Sequence, residues 1–158
     1  MKIRNIAFIG LGLHARHYHY KILCELKKEL DIHIKLLIDL KDQEDDIHEY
    51  LSSLTLKPEK MLFLDSNNRT AEYICDEAKA VLDDLVNNDE IDGVFISTEP
   101  KSHKAYALWA INHDIDVLVP DLLKLVSRKQ SIYHTFYYIR NLWFNQNILS
   151  IECHHCGS

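Results

Sequence analysis

Two of the chain's four glycines fall within three residues of each other, in Gly10-Leu11-Gly12-Leu13-His14-Ala15, and this stretch constrains the fold more than any other. It follows a short apolar run, Ile3 to Ile9, that reads as a strand. It opens a segment with apolar or small residues at Ala15, Tyr18, Ile22, Leu23, Leu26 and Leu30, a helical spacing. A Gly-x-Gly-x-x-Ala turn between a strand and a helix is a dinucleotide signature. Gly10 permits the tight turn, and Gly12 lets the backbone approach a pyrophosphate. Ala15 allows close helix–sheet packing, and the helix N-terminus offers unpaired N–H groups and a favourable dipole. The plainer alternative is a β–α turn with two convenient glycines.

The rest of the chain repeats the alternation. Ile32 to Asp39 has strand character, and Gln43 to Leu54 reads as an acidic helix with Ile47, Leu51 and Leu54 along it. Pro58 breaks the pattern before a third strand, Met61 to Leu64. A helix follows from Thr70 to Val86, ended by Asn87-Asn88-Asp89. Gly93 to Ser97 is a fourth strand, Pro100 to about His113 a helix, and Val117 to Val119 a fifth strand. Short apolar strands alternating with helices predict an α/β fold, a three-layer doubly wound parallel sheet of the Rossmann type. After Pro120, Ser127 and Gln130 form a capping box for a helix to about Trp143, with Ile132, Phe136, Ile139 and Trp143 as its apolar stripe. Asn147 to Cys153 reads as a sixth strand.

At 158 residues, 47% hydrophobic and 27% charged, the chain suits one globular core and has no room for a second full domain. A net charge of -6 argues against nucleic acid and anionic membranes as partners. The N-terminal apolar run is too short for a secretory signal, and no stretch approaches the roughly 20 apolar residues of a membrane span. The expected location is the cytoplasm, where Cys24 and Cys75, in apolar helical segments, are expected as buried reduced thiols.

Asp39 ends the second strand on the order of 20 residues past the glycine turn, where dinucleotide folds place the acid that receives the adenosine ribose hydroxyls. A carboxylate there favours NAD over NADP, whose 2′-phosphate it repels unless a cation such as Lys41 offsets it. The alternative is a solvated acid at a strand end. His103 falls at the carboxyl end of the fourth strand, where open α/β sheets bind ligands, or else it is a polar surface group. Arg16 is placed to approach the pyrophosphate or to lie in solvent. His14, His17 and His19 read as surface residues. Cys153-His154-His155-Cys156 holds zinc-type ligands, but four adjacent residues do not surround a tetrahedral ion, so no metal site is expected. No G-x-S-x-G, Walker lysine or zinc-protease histidine pair occurs.

From Ile3 to about Leu122 the chain resembles the glucose-fructose oxidoreductase and inositol dehydrogenase group, Gfo/Idh/MocA. The resemblance lies in "IRNIAFIGLGLHARHYHYKIL", in "LLID" and above all in "IDGVFISTEPKSHKAYALWAINHDIDVLVPDLL". It implies a nicotinamide cofactor, with Thr98, Pro100 and His103 in the site, and hydride transfer on a sugar-like or other small carbinol or carbonyl compound. It also exposes a departure. Where the family has Glu-Lys-Pro, the chain reads Pro120-Asp121-Leu122, so an acid stands in the place of the lysine near the nicotinamide. Lys124, within one turn, either reaches inward or lies on the surface.

The family's other catalytic groups belong to a second, sheet-rich domain, whose first strand Ile148 to Cys153 resembles. Residues 1–122 are therefore expected as the dinucleotide-binding domain, and 123–158 as a connecting helix and the start of an incomplete α+β domain. The chain is expected to bind dinucleotide without turnover, as the nucleotide-binding part of an oxidoreductase. The alternative is a non-catalytic sensor or accessory subunit. The apolar groups of the last helix, Phe136 and Trp143, point to a homo-oligomer.

Overall fold

A computed structural model describes residues 4–119. Asp121, Lys124, the helix expected from Ser127 to Trp143, the strand after it and the Cys153–Cys156 run lie outside the described residues. Five strands form one sheet: β1 (Arg4–Ile9), β2 (Ile32–Leu40), β3 (Pro58–Leu64), β4 (Gly93–Ile96) and β5 (Asp116–Leu118). Their order is β3-β2-β1-β4-β5, and every neighbouring pair is parallel. The chain winds outward from β1 to β3, then returns to the other side of β1 for β4 and β5. That reversal opens a crevice at the carboxyl ends of β1 and β4, the place where such sheets take ligands.

Parallel strands require crossovers, and four helices supply them: α1 (Tyr20–Leu26), α2 (Glu44–Ser52), α3 (Asp76–Asn87) and α4 (Pro100–Asn112). The strands' alternation divides the core between the two faces. Ala7, Ile9, Leu36, Ile38, Val94 and Ile96 pack against Ala78, Leu82 and Leu85 of α3 and Tyr106, Trp109 and Ala110 of α4. On the opposite face Phe8 stacks on Phe95 at 4.6 Å and meets Tyr20 of α1 edge-on at 5.4 Å, while Tyr20 in turn meets Tyr50 of α2. The expected doubly wound, three-layer sheet is therefore the fold of the described residues. No helix among them is long and apolar enough to cross a membrane.

Several local expectations are corrected. The first helix widens into a π turn over Ala15–His19 before α1 begins. A π turn holds one more residue than an α turn, and the change it brings is local, since Ala15, Ile22, Leu23 and Leu26 are buried as expected. Tyr18, expected inward, is 42% exposed, whereas His19, expected on the surface, is 4% exposed with its ring 5.4 Å from Phe95. The helix also ends at Leu26, short of Leu30. The helix expected from Thr70 begins at Asp76 instead. Asp65 accepts the Asn67 N–H at 3.0 Å and starts a 3-10 turn over Ser66–Thr70, a local side-chain bond that competes with helix. Pro58 opens β3 rather than preceding it, which an outermost strand tolerates. Cys24 and Cys75 are free thiols as expected, but half-buried rather than buried, and Cys75 precedes α3 rather than lying within it.

Candidate functional site

The two glycines of the turn do different work. Gly10 has φ +86°, and a Cβ built on it would lie 2.5 Å from the Ser97 carbonyl oxygen and 2.9 Å from Thr98 Cγ2. Its N–H donates to the Ile38 carbonyl at 2.9 Å, and the Ser97 N–H donates to Ile9 at 2.7 Å. Gly10 is thus the point where the ends of β1, β2 and β4 close on one another, and only a hydrogen fits between them. A Cβ on Gly12 would meet nothing within 4 Å. The fold itself does not ask for glycine at position 12, and the space beside it is open to a ligand.

The helix begins against that space. Its first bond runs from the Arg16 N–H to the Gly12 carbonyl at 3.0 Å, so the N–H groups before Arg16 have no acceptor one turn earlier within the helix. Ala15 is 1% exposed, which lets the helix sit close to the sheet. Anions gain from such an end through both the free donors and the dipole.

Asp39 lies at the carboxyl end of β2, 9% exposed. Its Oδ2 accepts the Leu11 N–H at 2.5 Å and its Oδ1 accepts the Leu40 N–H at 2.7 Å. Burial pushes its carboxyl above the ordinary carboxylate range, while the two N–H bonds and the nearby Arg16 charge restrain the rise. Arg16 is 8% exposed and does not lie in solvent. Its Nε donates to the Leu11 carbonyl at 2.8 Å, its Nη2 to Gln43 Oε1 at 3.2 Å, and its Nη1 lies 3.8 Å from the Asp46 carboxylate.

Thr98 is half-buried against Gly10, and Pro100 is exposed in the first turn of α4. His103, one turn further, is 9% exposed, and its Nε2 has no hydrogen-bond partner among the described residues. The structure thus groups Gly10 with Thr98 at the crevice and ties Asp39 and Arg16 to Leu11 between the glycines. Among the described residues, no hydrogen bond or ion pair joins Pro100 or His103 to that group. Sequence reasoning missed Gln43 and Asp46 as partners of Arg16. It also missed Arg69, which pairs with Asp42, and Ser102, which donates to the Arg69 carbonyl at 3.0 Å and ties α4 to the turn after β3. Only the acid-rich start of the second helix hinted at any of them. No group of three or more His, Cys, Asp or Glu able to hold a metal occurs among the described residues.

The raised pKa of Asp39 has a measurable sign. Because the folded value exceeds the unfolded one, near 3.9, Asp39 supports the fold most below that pH and loses this contribution as pH rises through the folded value. In thermal unfolding of the ligand-free chain, Asp39→Asn is expected to gain stability relative to the unsubstituted chain over the range in which pH rises above about 4. A difference that stays flat across that range would contradict the assignment.

Comparison with known proteins adds three findings. Residues 4–120 match the model of the Gfo/Idh/MocA family, described as an oxidoreductase family with an NAD-binding Rossmann fold. No curated protein matches the chain. Among solved structures it is similar to a dehydrogenase from Chromobacterium violaceum, at 16% identity and a TM-score of 0.45, over 74% of this chain and 27% of that one.

Proposed function

Since the chain belongs to the Gfo/Idh/MocA oxidoreductase family, whose cofactor class is the nicotinamide dinucleotide, we propose that it is the nucleotide-binding portion of an NAD-dependent oxidoreductase. The observation that carries this reading is the open space at Gly12, a glycine that the fold does not require, facing a helix N-terminus. Gly12 and the helix end would hold the diphosphate, Asp39 the adenosine ribose, and Thr98, Pro100 and His103 the side of the crevice formed by β4 and α4. When bound, the nicotinamide supplies a site that accepts or donates hydride, and the proposed substrate is a sugar-like or other small carbinol or carbonyl compound.

A second reading, a dinucleotide-binding sensor or accessory subunit without catalysis, is favoured by Asp121. Hydride transfer at a carbinol needs a proton donor or acceptor within reach of the oxygen. With Asp121 in its place, the ammonium that the family's lysine would hold near the reacting oxygen is absent. Self-association is proposed alongside either reading. Leu108 and Ile111, exposed three residues apart on α4, are apolar surface of the kind that joins subunits.

Calorimetric titration of the chain with NADH and NADPH tests the assignment. NADH is expected to bind at least about tenfold more tightly, because the 2′-phosphate would be brought beside the Asp39 carboxylate, and Asp39→Ala should shrink that gap. Tighter NADPH binding that survives Asp39→Ala would contradict it. Incubation with NAD and a panel of polyols, inositols and sugar acids tests the second reading. No reduced cofactor is expected, and chain-dependent reduction would exclude the non-catalytic reading.

A further inference from the structure

Leu11, the residue between the two glycines, is held at both ends of its backbone. Its N–H goes to the Asp39 carboxylate at 2.5 Å and its carbonyl to Arg16 Nε at 2.8 Å, with its side chain fully buried. We propose that Arg16 is a positioning residue for the diphosphate of the dinucleotide. Together with Asp39 it clamps Leu11, and so fixes the Gly10–Gly12 turn in its ligand-accepting shape without touching the ligand. This rests on the dinucleotide reading given above.

The partners of Arg16 argue for this role over direct binding of phosphate. Each guanidinium nitrogen already faces a protein oxygen: Nε on Leu11, Nη2 on Gln43 and Nη1 near Asp46. The backbone carbonyl of Arg16 also accepts the Tyr50 hydroxyl at 2.7 Å, so both ends of the residue are anchored to α2 or to the residues that lead into it. A buried cation is costly unless it finds acceptors and counter-charge, and here Nε and Nη2 find theirs on Leu11 and Gln43, tying the turn to neighbouring elements. The need for a tie is plain from the sequence of the turn. Gly12, with open space beside it, gives the turn conformational freedom that must be given up when a diphosphate binds. A turn ordered in advance avoids that loss at the moment of binding. A planar fork holds the Leu11 carbonyl through Nε and Gln43 through Nη2 in one fixed geometry, whereas a lysine's donors all sit on one nitrogen at the end of a flexible stem.

The test uses the full chain and ADP-ribose, which carries both adenosine and the diphosphate, with adenosine alone as the comparison. Arg16→Ala is expected to weaken ADP-ribose binding about ten- to hundredfold while adenosine changes by less than about twofold. Millimolar methylguanidinium should restore part of the loss. In ¹⁵N spectra the Leu11 amide should exchange faster with solvent in the variant. A folded Arg16→Ala chain that binds ADP-ribose as tightly as the unsubstituted chain, or that loses adenosine equally, would overturn the proposal. If Arg16→Ala does not fold, Arg16→Lys decides: a folded lysine variant must lose several-fold in ADP-ribose affinity, and full affinity would overturn the clamp. Failure of the unsubstituted chain to bind ADP-ribose would instead remove the dinucleotide reading, and the proposal with it.

Discussion

Gly10→Ala is expected to abolish or severely weaken the fold, with or without ligand. A non-glycine residue at positive φ costs about 1–2 kcal/mol, and here the added carbon would also lie 2.5 Å from a backbone oxygen. The obstacle is the Ser97 carbonyl at the end of β4, not the tip of a flexible side chain, so relief requires parting β1 from β4. Overpacking of a tight interior adds about 1–3 kcal/mol, giving roughly 2–5 kcal/mol against a total stability of roughly 5–15 kcal/mol. Urea unfolding should show a large fall in midpoint or no cooperative transition. A shift corresponding to less than about 0.5 kcal/mol would mean that the two strand ends do not meet at Gly10 as described.

Gly12→Val is expected to do the reverse. Its side chain enters open space, so stability should change by no more than about 1 kcal/mol, the ordinary scale for a glycine near a helix start. ADP-ribose affinity should fall by about a hundredfold or more, because the branched side chain takes the volume proposed for the diphosphate. Calorimetric titration of a variant with unchanged unfolding behaviour reads this directly. Undiminished binding would show that the diphosphate does not sit at Gly12. Together the two variants separate a glycine required by the fold from one required by the ligand, two residues apart in the same turn.

The fold was legible because its signals are local. The apolar strands, the glycine turn and the Pro100 helix start each depend on a few adjacent residues, and the parallel order follows from their alternation. Asp39 was legible as a strand-end acid. Its bond to the Leu11 N–H was not, since a backbone donor leaves no mark in the sequence. Arg16 was legible as a residue near the turn, but where its guanidinium goes is decided by Gln43 and Asp46 at the start of the second helical segment, and sequence periodicity carries no such distant pairing. His19 was misplaced because the wide turn brings it, rather than Tyr18, onto the buried face, whereas Ile22, Leu23 and Leu26 beyond it are buried as the apolar spacing expects. The late start of α3 came from Asp65, whose side chain caps a tighter turn before the helical pattern takes hold.

β3, one of the two edge strands of the sheet among the described residues, bears on how the molecule behaves when crowded. An open strand edge invites a strand from another chain, the first step toward intermolecular sheet. β3 enters the sheet with Pro58, which has no N–H to offer, followed by exposed Glu59 and Lys60. Lys35 on β2 reaches across to hold Glu59 at 2.8 Å, which keeps that charge in place on the strand. Edge-to-edge growth along this side would have to bury those charges and forgo a backbone bond at its first residue. Resistance to fibril formation at this edge is therefore written into residues two strands away from the crevice, and it can be altered without disturbing the glycine turn.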